Sequence, residues 1–494
     1  MQAPQCEFPR RQWRGVPRAA IPVGRWATIN YGRRGGEGGI LRIVKIALAG
    51  LAALLVIAAA GLAAFLAISP PDLLRVATGY SAKIVCSNVF LAGRDPAEVM
   101  AVDVQAPGHP LLKLVNVAVD APQQRVTARL LGLFATATAV NRPGLGCATV
   151  PDGDVAAAMQ VSLAVAPGPE PVAGTWPDGD GQATVTGTGL ADILDNAALV
   201  GPGMRAIVVV KNGHLIAEAY GPGFSAETPL LGWSMVKSVN ALLLGQVMGE
   251  GKLGLDETGL FPEWTDEARR TISVRDLLGM ESGLGFNEDY GDVSDVNRML
   301  FLEPDMAGFA ASTPSVAAPG SAFAYSSGTA NLLARLWMDR VGEGALAYPR
   351  EKLFAPLGMH SAVMEADASG TLVGSSYIYA TARDWARLGQ FILADGMWNG
   401  QRLVPAEMMA LLRTSNGLPG WYSQAQTWLA GPQESDGEPM VGLPADAVWL
   451  QGHDGQSIAV IPSAGLVVVR LGLTPSRLNY WPELLVKAVL ETTG

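Results

Sequence analysis

The chain has 494 residues, 49% of them hydrophobic and 16% charged, with a formal net charge of −10. That is ample material for a sizeable core, and it excludes a disordered or fibrous chain. Nine basic residues against two glutamates fall in the first 45 positions, so the remainder carries 26 basic and 43 acidic groups, about −17, which excludes nucleic acid as a partner of the body of the protein.

Residues 1–45 read as a basic, Gly-rich tail without periodicity. From Ile46 to Ile68 there are 23 consecutive uncharged, mostly apolar residues, ended by Ser69-Pro70-Pro71; at about 1.5 Å per helical residue such a run crosses a bilayer core. We expect residues 46–68 to be a single membrane-spanning anchor in contact with lipid. Arg10, Arg11, Arg14, Arg18, Arg25, Arg33, Arg34, Arg42 and Lys45 all precede it. The positive-inside bias then keeps the N-terminus cytoplasmic, in the inner membrane, and places everything after Pro70 in the periplasm or outside the cell. The alternative is a cleaved signal peptide with Arg42 and Lys45 as its charged region, although the run is longer than the usual ~7–15 residues and lacks a small-x-small end.

Cys6 lies in the tail, whereas Cys86 and Cys147 are both on the expected exported side, where an oxidising compartment permits a bridge. A Cys86–Cys147 disulfide is expected; the alternative is two buried thiols. His109, His214, His360 and His453 are scattered without ligand spacing, so no metal site is expected. Residues 72–165 read as a small N-terminal module of short β-like runs, Leu111–Val119 and Arg125–Leu131, with a turn at Asn141-Arg142-Pro143-Gly144. Gly- and Pro-rich residues 166–189 read as a linker.

In the last segment, 190–494, the runs 205–211 and 214–220 flank Asn212-Gly213, a strong hairpin signal. Near the other end Ala447–Leu450, Ser457–Ile461 and Leu466–Leu473 are β-like, with a turn at 462–465 and a closing helix over 480–491. Between them Lys237–Met248, Ser273–Leu278, Gly328–Arg340 and Thr381–Leu393 carry helical periodicity. The expected class is α+β: one antiparallel sheet formed by both ends of this segment, flanked by helices, with a mostly helical lobe inserted.

Chemistry enters at Ser234-Met235-Val236-Lys237, the single Ser-x-x-Lys in a chain with eight lysines. One helical turn sets the hydroxyl of Ser234 beside the amine of Lys237, a nucleophile next to a base, provided that burial lowers the lysine's pKa. An apolar helix follows and suits that burial. The alternative is a serine cap and a surface lysine. Tyr325 precedes Ser326-Ser327-Gly328 and a helix; near Lys237 its phenol would be partly ionised and would shuttle the serine proton, whereas alone it reads as a core or rim residue. Gly452-His453-Asp454-Gly455-Gln456 precedes a strand, where glycine lets a substrate approach backbone N–H groups. His453 as a structural turn residue is the alternative there.

Ser234-x-x-Lys237, Tyr325-Ser-Ser and His453-x-Gly455, in that order between sheet ends, resemble the three motifs of the serine β-lactamase and penicillin-binding superfamily. The spacing is most similar to class C β-lactamases, their carboxylesterase relatives and the 6-aminohexanoate-dimer hydrolases. The resemblance covers roughly Gly203–Leu490, including Asp276–Leu284, Leu353–Met359 and Arg383–Gly389. It implies that Ser234 is acylated, that Lys237 and Tyr325 exchange its proton, that the backbone N–H groups of Ser234 and Gln456 form the oxyanion hole, and that Ser327, His453 and Gly455 meet the substrate. No cofactor is implied. Two departures stand out: Ser327 replaces the asparagine of many relatives, and His453 replaces a lysine, weakening a fixed positive charge for a lactam or peptide carboxylate. No further acidic residue is required as a deacylation base. Both departures favour a serine hydrolase of small or short-peptide esters and amides, similar to 6-aminohexanoate-dimer hydrolases and esterases, over a D,D-peptidase or β-lactamase. A membrane sensor acylated at Ser234 is the reading from another class, and it lacks a cytoplasmic output domain.

Overall fold

The computed structural model describes residues 37–106, 108–163, 174–179, 188–291, 293–418, 420–429, 431 and 442–494. The tail expected over 1–45 lies outside the described residues up to position 36, and so does most of the linker expected over 166–189.

Among the described residues one helix is long and apolar enough to cross a membrane. It occupies Gly39–Ile68, within α1 (Glu37–Ile68). Residues 65–494 form one compact unit.

That unit begins with α2 (Asp72–Phe90), lying on the antiparallel meander β1 (Val115–Asp120), β2 (Arg125–Leu130), β3 (Phe134–Arg142) and β4 (Gly146–Thr149). The helix was not legible as one: from Ala77 to Asn88 nearly every residue is buried, Lys83 included, so there is no polar stripe to mark a helical period. A Cβ at Gly79 would lie 3.0 Å from the carbonyl oxygen of Phe301; the missing side chain lets α2 pack close to the helix Asp295–Leu302.

Cys86 of α2 and Cys147 of β4 are bonded, with Cα atoms 6.1 Å apart. Beside them Lys83 forms an ion pair with Glu365, both almost fully buried. The Glu365 carboxylate also accepts from Ser87 Oγ at 2.8 Å and the Cys147 N–H at 2.6 Å. Arg142 donates to the Asp367 carbonyl at 2.8 Å. These contacts satisfy buried charges that would otherwise be costly, and they bind the first part of the unit to residues far along the chain.

The expected antiparallel sheet has five strands in the order β7 (Val448–Gly452), β8 (Gln456–Ile461), β9 (Leu466–Gly472), β5 (Met204–Lys211) and β6 (His214–Tyr220). First and last strands of the segment thus pair directly, Val468 facing Val209. The hairpin turn has Asn212 at φ 50° and Gly213 at φ 81°, the left-handed pair that an Asn-Gly hairpin requires. Strand alternation sends Ile207 and Val209 to one face, with Leu485 and Val489 of α6 (Pro482–Thr493), and Val208 and Val210 to the other. There they share a core with Leu388 and Phe391 of α5 (Ala382–Leu393). Both faces are covered, which is why the run Ala206–Val210 is apolar without a polar alternation. The inserted lobe contributes α3 (Val236–Gly249) and α4 (Ser327–Val341), which pack together.

Candidate active site

The segment entering α3 is shaped by Trp233, whose φ is 47°, a conformation that costs a bulky residue energy and persists only when its surroundings enforce it. Its ring packs against Tyr377 at 6.1 Å and edge-on to His453 at 5.6 Å. The turn Trp233–Met235 leads straight into α3, so Ser234 sits at a helix N-terminus, as its sequence position predicts. One turn on, Lys237 is 1% exposed. Its Nζ lies 3.0 Å from Ser234 Oγ, 3.1 Å from Ser327 Oγ and 3.0 Å from the Ser375 carbonyl oxygen. Burial lowers its pKa to about 8, against the opposing charge of Glu288.

Tyr325 precedes α4, whose N-cap Ser326 accepts from the Thr329 N–H at 3.0 Å. The centroid of the phenol ring lies 4.8 Å from Lys237 Nζ, and the ring packs edge-on to Tyr422 and tilted against Trp428. Burial, and then the charge of Glu288, push the phenol above its ordinary pKa, while its hydrogen bond with Ser234 opposes them. Desolvation and the Glu288 charge outweigh that hydrogen bond, so the shift runs against the partial ionisation expected of this phenol.

Ser234, Lys237, Tyr325 and Ser327 come together as anticipated, and they bring a residue that was not. Glu288 Oε1 accepts from Ser327 Oγ at 2.5 Å and Oε2 from the Ser327 N–H at 2.8 Å, at the positive end of α4. Burial raises its pKa, and the charge of Lys237 opposes that rise. Two residues on, Tyr290 hydrogen-bonds with Ser327 and Glu288 and stacks on His453 with ring centroids 4.8 Å apart. An acidic residue thus belongs to the cluster, one that sequence reasoning did not single out. It lies in the irregular segment 285–291, and its only trace in the sequence was an acid and a phenol two apart between Gly285 and Gly291.

The Ser327 hydroxyl gives its proton to Glu288, so it meets Lys237 as an acceptor, and the Ser375 carbonyl can only accept. A neutral amine has two N–H bonds and one lone pair. With both N–H groups so committed, the lone pair is left for the Ser234 O–H.

His453 is 41% exposed and forms a rim with Trp233 and Tyr290. A Cβ at Gly452 would lie 2.2 Å from the Gly232 carbonyl oxygen, so only glycine lets the end of β7 approach the nucleophile segment this closely. The Gln456 side chain turns back onto the His453 carbonyl at 3.1 Å and the Gly472 N–H at 2.9 Å. The Gly455 carbonyl is held by Arg470 at 3.0 Å.

Residues 196–476, more than half of the chain, match the family model described as Beta-lactamase. The chain belongs to that family. This β-lactamase-family protein is 25% identical over 298 residues to the 6-aminohexanoate-dimer hydrolase of Paenarthrobacter ureafaciens, covering 55% of this chain and 72% of that enzyme. Its fold is similar to that of a putative 6-aminohexanoate-dimer hydrolase from Bacillus anthracis, with TM-score 0.51, 21% identity, and 62% of this chain and 81% of that one covered. It is likewise similar to a putative beta-lactamase from Bacteroides dorei, with TM-score 0.51, 19% identity and coverage of 63% and 99%. It is a hydrolase of the β-lactamase fold.

Proposed function

We propose that the protein is a serine hydrolase cleaving small or short-peptide esters and amides through an acyl-enzyme at Ser234. The observation that carries this reading is the set of three contacts around Lys237 Nζ, which in the deprotonated amine leaves the lone pair for the Ser234 hydroxyl. As Oγ attacks the substrate carbonyl, its proton passes to Nζ, and the new ammonium gains the attraction of Glu288. Negative charge on the carbonyl oxygen is met by the backbone N–H groups of Ser234 and Gln456. Tyr325 gives its proton to the departing alcohol or amine and recovers one from Lys237. In the second half a water loses its proton along the same route and its oxygen bonds the acyl carbon, releasing the acid and Ser234.

An ester or amide is favoured over a β-lactam because Ser327 Oγ is already engaged by Lys237 and Glu288, and His453 stands where a fixed cation would recognise a carboxylate. We further propose that α1 anchors the chain in the inner membrane, with residues after Pro70 on the outer side, where the Cys86–Cys147 bond is chemically stable.

Incubating the purified protein with p-nitrophenyl esters, an aminohexanoate dimer and a chromogenic cephalosporin tests the reading. The ester or the dimer is expected to have the highest kcat/KM, with a short-lived acyl mass on Ser234. Preferential turnover of the cephalosporin would reverse the assignment in favour of a β-lactamase or D,D-peptidase, and a permanent adduct would favour a sensor.

A further inference from the structure

A cavity of about 490 Å³ opens against Trp233, the residue that precedes the candidate nucleophile, within the ~300–1,000 Å³ range of small-molecule sites. One wall is the aromatic rim already described, Trp233, Tyr290 and His453. The facing wall comes from α2, where Leu73, Val76 and Tyr80 point into the space. These positions follow helical three-and-four spacing, so they form one apolar stripe about 10 Å long. Leu73 remains 43% exposed. An apolar helix face that lines an open cavity has not been buried by the fold, and burying it is favourable for any apolar group that enters.

This wall lies outside residues 196–476, the segment that matches the family model. It is also close in chain to α1: Leu73 lies five positions after Ile68, at most about 18 Å fully extended. A substrate lodged at a lipid–water boundary would therefore meet the stripe near the point where the chain leaves the apolar helix.

We infer that the cavity between α2 and the Trp233–Tyr290–His453 rim receives an alkyl chain, so that the substrate is an ester or amide bearing such a chain. The inference rests on the proposal that Ser234 is the nucleophile. The chain would lie along Leu73, Val76 and Tyr80 while the scissile carbonyl sits at Ser234.

The test uses the full chain in phosphatidylcholine vesicles and compares kcat/KM for p-nitrophenyl octanoate and acetate. The octanoate-to-acetate ratio is expected to exceed ten in the unaltered protein. Leu73→Glu, at an exposed position that tolerates a charge, and Val76→Trp, which fills the space, should each bring that ratio toward one. Because every variant is measured on the same vesicles, partition of the longer ester into lipid cancels. A ratio of one or less in the unaltered protein, or a ratio that both variants leave in place, overturns the alkyl-chain pocket while leaving the hydrolase assignment intact. Turnover that survives Ser234→Ala, or failure of a short alkyl fluorophosphonate to label Ser234, overturns the hydrolase assignment and this inference with it. Presenting the octanoyl ester either free in detergent-free buffer or held in the vesicles separates a dissolved amphiphile from one taken out of the bilayer; faster turnover in either form supports the alkyl-chain pocket.

Discussion

Lys237, one helical turn along, and Tyr325, far along the chain, converge on Ser234, and each residue has a separable consequence. Ser234→Ala should abolish turnover while the thermal midpoint stays unchanged; a fully active variant would refute the nucleophile. Lys237→Ala and Tyr325→Phe should each lower kcat by ~10²–10⁴, as loss of a general base or acid does, measured at saturating ester. The pH profile follows from the same geometry. Lys237 accepts a proton only when neutral, and burial brings its pKa down to about 8, so kcat/KM should rise with pH through about 8 and level off above it. The charge of Glu288 holds that value up; Glu288→Gln removes the charge, and the rising limb should move to lower pH. A shift to higher pH, or none, would show that Glu288 does not act on the amine. Sequence reasoning found the serine, lysine and phenol because the helix period fixes the spacing of the first two and a known motif order supplies the third. Glu288 escaped because it sits in irregular backbone, where no period relates an acid to a partner 39 residues away.

At the level of elements, α2 is the piece that sequence reasoning lost and the one most firmly tied down. Its burial on nearly every side erased the amphipathic signal, and the polar residues that would have broken the apolar pattern, Lys83 and Ser87, are the ones bonded to Glu365. The hairpin and the helices α4 and α5 were legible because Asn-Gly marks the turn and the capping residues Ser326 and Thr381 mark the helix starts, whereas α3, buried all round like α2, was picked out by the Ser-x-x-Lys that opens it. Removing one partner of a buried ion pair strands the other charge. Lys83→Met should therefore cost about 3–5 kcal/mol in denaturant unfolding, and adding Glu365→Gln should recover part of it. Breaking the disulfide by Cys86→Ala, where 61 residues separate the two cysteines, should cost about 2–4 kcal/mol. An unchanged melting curve under reductant would argue that the bond carries no stability.

At the scale of the whole molecule, the apolar run of α1 predicts that the full chain stays with membranes through alkaline carbonate extraction, whereas a chain starting at Pro70 is released. Release of the full chain would remove the anchor from the proposal. The order of strands carries a further implication, for biogenesis. Because β5 pairs with β6 along one edge but finds the partner of its other edge only in β9, and Gln456 lies at the start of β8, a polypeptide emerging from the ribosome or a translocation channel holds Ser234 early but lacks the completed sheet until about residue 472 is out. Until then β5 presents an unpaired edge, a template for association with other chains. A stop codon before Leu466 should therefore yield an insoluble, inactive product.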